Sequence, residues 1–150
     1  MSDGSEPISQ DIETLRKLLS SSGYGERAIT YFLEKPNMGV LQDADQVTEH
    51  TGVCGDTMRI YLKIEEGRIL DAKIQVLGCP GAVSSAMAAM DIIRGKRLEE
   101  AMELKDRDIF RVLESLPDQK QHCIRLTVKT LQKAIEEYRR NNGDKPSYGG

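Results

Sequence analysis

Two alternating runs of residues, separated by a short turn, place the strongest limit on how this chain can fold. Apolar residues occupy every second position in both runs: Met58, Ile60, Leu62 and Ile64 in the first, and Leu70, Ala72, Ile74 and Val76 in the second. A two-residue repeat is typical of a strand with one buried face. Because Glu65-Glu66-Gly67-Arg68 joins the runs, the pattern predicts an antiparallel hairpin.

Helical patterns dominate the rest of the chain. Helices are predicted at 12–19, 24–33, 82–93, 98–104, 108–116 and 120–140. In the last of these, apolar residues recur every three or four positions, which makes one apolar stripe. A further short strand is expected within 40–53. The fold class is therefore α+β, a small antiparallel sheet of about three strands with helices packed on one face.

Composition and charge narrow the function classes. The chain has 150 residues, with 21 Lys and Arg against 24 Asp and Glu and a net charge of -3. A mildly acidic chain is a poor non-specific ligand for nucleic acid, and no apolar run reaches the roughly 18 residues of a membrane span. We expect a cytoplasmic protein that binds neither nucleic acid nor membranes. We expect an N-terminal extension with a short helix at 1–23, one domain at 24–140 and a disordered tail at 141–150.

The 3 cysteines all lie at junctions between predicted elements. An odd, low count excludes a self-contained disulfide framework and suits a reducing compartment. Cys54 precedes the first hairpin strand, Cys79 follows the second strand at the start of a helix, and Cys123, next to His122, opens the last helix. Antiparallel pairing places Cys54 and Cys79 at the same end of the hairpin, so we expect them to converge.

The chemistry of these residues and their neighbours indicates a metal or cluster site. A thiol at a helix N-terminus is favoured as thiolate, and Asp56 adds an oxygen close to Cys54. Three thiols, one carboxylate and the His122 imidazole suit zinc or an iron–sulfur cluster, and they do not suit magnesium or calcium. Taken singly, each cysteine could be a small buried side chain, Asp56 a turn residue and His122 a surface histidine. His50 is expected to be an ordinary surface histidine.

Three motifs in order resemble the IscU/NifU N-terminal family of iron–sulfur cluster assembly scaffolds. They are Cys54-Gly55-Asp56 before a strand, Gly78-Cys79 opening a helix of small residues, and Lys120-Gln121-His122-Cys123 at the last helix. The resemblance covers 24–138, and it implies a SufE/NifU-like fold. The Cys54-Gly55-Asp56 motif alone would be weak, but the three motifs in this order and at these spacings are specific.

The resemblance implies a non-enzymatic scaffold. Such a protein accepts sulfur from an IscS/NifS-like cysteine desulfurase, takes up iron, assembles a transient [2Fe-2S] cluster and passes it to apo-proteins. By position, Cys54, Cys79 and Cys123 would be cluster ligands and sulfur acceptors. Asp56 would be the oxygen ligand that keeps the cluster labile, and His122 an alternative fourth ligand. Zinc is an alternative occupant of the cluster-free form, and a homodimer stays open.

Departures from the family pattern modify these expectations. The segment Leu116-Pro117-Asp118-Gln119-Lys120 differs from the family's Leu-Pro-Pro-Val-Lys, which makes an Hsp70-type chaperone partner doubtful. Only 44 positions separate Cys79 from Cys123 (123 − 79), which leaves no room for the insertion of the SufU subgroup. The spacing therefore favours the IscU-like branch.

Three alternatives remain beside the scaffold. The first is a SufE-like module that accepts persulfide sulfur without holding iron, and the second is a zinc-binding regulator of a desulfurase. The third is a thiol enzyme that uses Cys123, His122 and Asp56. It ranks last, because neighbours in sequence on a helix point to different faces, which places His122 poorly as a base for Cys123.

Overall fold

The computed structural model describes residues 5–142, with side chains described for 11–142. The elements in chain order are α1 (Ser5–Ser21), α2 (Glu26–Glu34), β1 (Gln46–Thr51), β2 (Thr57–Glu65), β3 (Arg68–Leu77), α3 (Pro80–Ile93), α4 (Leu98–Met102), α5 (Asp106–Leu113), a 3-10 turn (Asp118–Lys120) and α6 (His122–Asn141). Within these residues no helix combines the length and the apolar character needed to cross a membrane.

The predicted hairpin is confirmed as β2 and β3. The two strands pair antiparallel, with Ile60 opposite Ile74 and Thr57 opposite Leu77. Both residues of the turn, Glu66 and Gly67, have positive φ angles, of 52° and 76°, which matches the twist of a two-residue hairpin turn. The short strand expected within 40–53 is β1, which pairs antiparallel with β2 and completes a sheet of order β1-β2-β3.

The helices α3 and α6 contact the sheet and cover one of its faces. Ile60 and Ile74 point into this layer and are fully buried, whereas Arg59 on the opposite face pairs with Glu49 in solvent. The alanines and methionines of α3 are also fully buried, since small and flexible side chains let a helix pack closely on both sides. The α+β class with helices on one face is confirmed.

The largest differences from the predicted helix boundaries are at the start of α1 and the end of α5. α1 begins at Ser5, before the first apolar position of its repeat. α5 ends at Leu113, three residues before the predicted end. Glu114 follows with a φ of 75°, and the N–H of Gly25 donates to the carbonyl of Ser115 at 2.8 Å. The chain after α5 thus leaves the helix to pair with the start of α2, a tertiary contact that the helical period does not reveal.

The predicted disordered tail at 141–150 falls almost entirely outside the described residues. Asn141 is the last residue of α6. The N–H of Asn142 donates to the carbonyl of Tyr138 at 3.0 Å and closes the helix. The prediction for the remaining residues of the tail stays a prediction.

A candidate metal site at one end of the sheet

Asp56, Cys79 and Cys123 bring their side chains together at the end of the hairpin that faces away from its turn. One ligand atom from each lies within 4.8 Å of the other two. The Cys79 sulfur is 3.5 Å from the Cys123 sulfur and 3.7 Å from Oδ2 of Asp56. Cys123 is buried, and the other two residues are half-buried. The three groups form a small polar cluster at the edge of the core.

The backbone of three elements positions this cluster. The pairing of Thr57 with Leu77 places Asp56, just before β2, beside the residues that follow β3. Cys79 is the N-cap of α3, in extended conformation, and Pro80 takes the first helical position, where its missing N–H costs nothing. Cys123 enters from the first turn of α6. Two of the three residues are therefore placed by strand register and the third by helix packing.

Two glycines leave the space that the cluster occupies. A Cβ on Gly78 would lie 2.7 Å from Cγ of Asp56, closer than real atoms approach. A Cβ on Gly81 would lie 3.1 Å from Cβ of Lys120 and 3.6 Å from the sulfur of Cys123. Glycine at these two positions therefore lets Asp56 and the start of α6 approach Cys79.

The Cys79 and Cys123 thiols lie within hydrogen-bond distance of each other. The hydrogen bond from Cys123 lowers the pKa of Cys79, and burial opposes this shift. The backbone N–H of Ala82 and the charge of Lys120 lower it further, while Asp56 raises it. The same hydrogen bond, together with burial, raises the pKa of Cys123. These opposite shifts favour Cys79 as the thiolate of the pair and Cys123 as the S–H donor. The helix N-terminus adds to this preference through the Ala82 N–H.

Cys54 lies outside this cluster. It is exposed on the loop between β1 and β2, where Gly55 has a φ of 95° and donates its N–H to the carbonyl of Gly52 at 3.0 Å. Its neighbour Val53 is fully exposed. Strand pairing brings Cys54 to the expected end of the hairpin, but its sulfur is not among the ligand atoms that lie within 4.8 Å of one another. Its role as a ligand stays a prediction.

His122 is the first residue of α6, and its Nε2 lies 3.7 Å from the sulfur of Cys123. The sequence argument places these neighbours on different faces of a helix. At the open first turn, however, the ring folds back toward the thiol. His122 is thus within reach of the cluster but is not one of its three closest members.

Tyr24 is the residue near the site that the sequence argument missed. It is buried just before α2. Burial raises the pKa of Tyr24 to about 12, and the charges of Cys79 and Cys123 add to the shift, while a hydrogen bond with the backbone of Gly81 opposes it. A tyrosine ahead of a helix carries no signal for a thiol site in the sequence. Its place follows only from the packing of α2 beside α3.

The donor set fits a soft metal centre. Two sulfurs and one carboxylate oxygen, with an imidazole and a third thiol at the same end of the sheet, suit iron–sulfur or zinc chemistry. The small α+β fold therefore gathers a candidate set of metal ligands at the rim of its sheet, where Asp56 and Cys79 are half-buried.

Comparison with known proteins places the chain within one family. Residues 23–145 match the NifU-like N terminal domain, so the chain belongs to this family. It is 38% identical over 121 residues to the iron-sulfur cluster assembly scaffold protein IscU 1 of Archaeoglobus fulgidus, covering 80% of this chain and 79% of that protein. It is 35% identical to IscU of Aquifex aeolicus, covering 80% and 78%. The expected family membership is confirmed.

Solved structures agree on the fold. A putative iron-sulfur cluster assembly scaffold protein for the SUF system from Fervidobacterium islandicum superposes with a TM-score of 0.62 at 25% identity, covering 75% of this chain and 96% of that one. A NifU-like N-terminal protein from Brucella abortus gives a TM-score of 0.63 at 20% identity, covering 77% and 94%. The expected NifU-like architecture is confirmed.

Proposed function

We propose that this protein is a non-catalytic scaffold on which an iron–sulfur cluster is assembled and from which it is released. The observation that carries the proposal is the convergence of Asp56, Cys79 and Cys123 within 4.8 Å in a chain of the NifU N-terminal family. Relatives covering most of this chain are named as assembly scaffolds. The cluster is the cargo of the protein.

The ligand set explains why the cargo could be both held and released. Cys79 and Cys123 supply two thiolates from packed elements, and Cys54 would supply a third from its loop. Asp56 or His122 would fill the fourth position of a [2Fe-2S] cluster. A carboxylate is a harder ligand than a thiolate, so a cluster with one oxygen ligand is held less tightly than one with four cysteines.

Sulfur would arrive from a cysteine desulfurase as a persulfide. A thiolate of the scaffold attacks the outer sulfur of the donor's persulfide, the donor's S–S bond breaks, and the donor leaves as a thiolate. Cys54 is the accessible thiol, and Cys79 is the thiol held as thiolate by its neighbours. Apo-proteins would receive the finished cluster. Zinc would occupy the same ligands in the absence of a cluster.

Anaerobic reconstitution tests the proposal. The full chain is incubated with ferrous iron, L-cysteine, a cysteine desulfurase and dithiothreitol as the reductant of persulfide sulfur, and visible absorption is recorded. We expect cluster absorption from the wild type, strong loss in Cys79→Ser and Cys123→Ser, and no loss in the exposed control Glu99→Gln. Circular dichroism of the same samples confirms that the variants are folded. Equal absorption from all four proteins would contradict the proposal.

One observation supports a second candidate, a SufE-like acceptor that relays persulfide sulfur without holding iron. Such a relay needs one accessible thiol, and Cys54 is exposed on a glycine-flanked loop. Mass spectrometry after treatment with a desulfurase and L-cysteine, paired with iron analysis, separates the candidates. Persulfide on Cys54 without iron uptake by the folded protein would favour the relay.

A further inference from the structure

A pocket lies beside Cys54, and none of the three converging residues Asp56, Cys79 and Cys123 lines it. Its volume is about 350 Å³. One wall is the end of β1 with the loop that follows, and the other is the first two turns of α6. The lining residues are His50, Thr51, Gly52, Val53 and Cys54 on the loop side, and His122, Arg125, Leu126 and Lys129 on the helix side. We name this cavity the loop pocket.

The charge of the loop pocket is opposite to that of the chain. The whole chain has a net charge of -3, yet the nine lining residues include Arg125 and Lys129, two histidines and no carboxylate. Nε of Arg125 donates to Asp106 at 2.7 Å, and this is its one ion pair within residues 11–142. Lys129 makes no ion pair or hydrogen bond within the same residues. The pocket thus presents cations that the protein itself neutralises only in part.

Packing on both sides gives the loop pocket a defined shape. A Cβ on Gly52 would lie 3.1 Å from Cδ1 of Leu126, so the loop approaches α6 closely at this point. Leu126 is buried and provides an apolar wall. The hydroxyls of Thr51 and Thr57 are hydrogen bonded at 2.8 Å, which joins the two strands on either side of the loop. The cavity therefore lies between two elements that are fixed to each other.

We propose that the loop pocket binds a small thiol that carries a carboxylate, with the carboxylate at Arg125 and Lys129 and the sulfur beside Cys54. Guanidinium and ammonium groups recognise carboxylates through charge-assisted hydrogen bonds. A volume of about 350 Å³ suits a ligand at the small end of the range for binding pockets. The lining includes no Phe, Tyr or Trp.

Cys54 is the reason that the ligand should be a thiol. It is a nucleophilic group in the wall of the pocket, and it is exposed. When the bound thiol arrives as its persulfide, the Cys54 thiolate can attack the outer sulfur, the S–S bond of the ligand breaks, and the ligand leaves as a thiolate. Cys54 is also an expected ligand of the cargo. A role of the bound thiol in sulfur supply rests on the proposed scaffold function. The binding of the thiol to the pocket does not.

Alkylation with a matched pair of reagents tests the charge of the pocket without iron. Iodoacetate carries a carboxylate and iodoacetamide is its neutral analogue. The rates at Cys54 are measured in the metal-free full chain by peptide mapping. We expect Arg125→Gln and Lys129→Gln each to lower the ratio of the iodoacetate rate to the iodoacetamide rate by about threefold at low salt. Arg140→Gln, an exposed cation at the far end of α6, should leave the ratio unchanged. A ratio equal in all four proteins would overturn the proposal.

Amide NMR titration of the metal-free protein tests the ligand class. Mercaptosuccinate, a thiol with two carboxylates, should shift the signals of Gly52, Cys54 and Arg125 and saturate. The neutral thiol 2-mercaptoethanol should not saturate them, and Lys129→Gln should weaken the mercaptosuccinate response severalfold. If succinate or inorganic phosphate binds as tightly as mercaptosuccinate, the pocket does not select a thiol and the proposal is wrong. Because neither experiment involves a cluster, failure here is distinguishable from failure of the scaffold function.

Discussion

The two halves of the candidate site are built differently. Cys79 and Cys123 meet at 3.5 Å where two helices pack, and Cys123 is fully buried. Cys54 stands on a loop beside Val53, whose side chain is fully exposed. A packed pair can hold a metal in fixed geometry, whereas a thiol on an exposed loop can meet an incoming partner. The difference suggests a division between holding the cargo and exchanging it.

Removal of single thiols should show the largest difference between the two halves of the site. We expect Cys79→Ser and Cys123→Ser to lower the affinity for Zn²⁺ by more than about 100-fold, because each removes a ligand from the packed pair. Cys54→Ser should lower it by only about tenfold, since the packed ligands remain. Competition with a fluorescent zinc chelator measures all three. Equal losses for the three variants would show that the two halves do not differ in holding metal.

Glycine substitutions test the same difference between the packed pair and the loop. They add a methyl group beside each half of the site and leave every ligand in place. Gly78→Ala places a Cβ 2.7 Å from Cγ of Asp56, so the carboxylate must move, and zinc affinity should fall by about tenfold. Gly52→Ala meets a flexible leucine end at 3.1 Å on the loop side, and we expect a change of less than about threefold. The chelator competition serves again, with thermal unfolding as the control for folding. If Gly52→Ala lowered the zinc affinity more than Gly78→Ala, the loop would be the half of the site that holds the metal, which contradicts the assignment.

Removal of the proposed oxygen ligand, Asp56, tests how the cluster is released. In Asp56→Ala, we expect the reconstituted cluster to decay about threefold more slowly than in the wild type, because its one labile protein ligand is gone. Decay of visible absorption under anaerobic conditions with a chelator gives the rate. A matched exposed variant, Asp43→Ala, should decay as the wild type does. Faster decay in Asp56→Ala would contradict the assigned role.

The pH dependence of thiol reactivity is the smallest expected effect. Because the hydrogen bond from Cys123 lowers the pKa of Cys79, its thiolate persists to lower pH than an ordinary thiol. As the pH falls, its reactivity with iodoacetamide should be lost at a midpoint below that of the same residue in urea. Lys120→Gln should move the midpoint upward by a few tenths of a unit, since a favourable charge is removed. Identical midpoints in the native protein and in urea would contradict this reading.

The sequence pattern predicts the hairpin and its relation to the site well, for a physical reason. Antiparallel pairing is local, so the period of two places Asp56 and Cys79 at one end of the sheet before any packing is known. The position of Cys123 depends on how α6 lies across the sheet. Ligand chemistry and the family resemblance group Cys123 with the site, but no period in the sequence places it there. The separation of Cys54 from the other thiols depends on the path of a glycine-containing loop, for which side-chain periods carry no information.

The early end of α5 and the place of Tyr24 have a common cause. Gly25 approaches the chain after α5 so closely that a Cβ there would lie 2.8 Å from the carbonyl oxygen of Leu113. This contact between distant segments ends one helix and sets the start of another, next to Cys79 and Cys123. No local pattern encodes such a contact, so both features required the structure.

We infer that Asp56, Cys79 and Cys123 together bind the iron of a nascent cluster. Iron K-edge X-ray absorption of the anaerobically reconstituted full chain tests it most directly, because fine structure separates sulfur from oxygen neighbours. We expect sulfur neighbours with an oxygen contribution that disappears in Asp56→Ala, and weaker sulfur scattering in Cys79→Ser and Cys123→Ser. Iron surrounded only by oxygen and nitrogen, or an unchanged spectrum in all three variants, would contradict it.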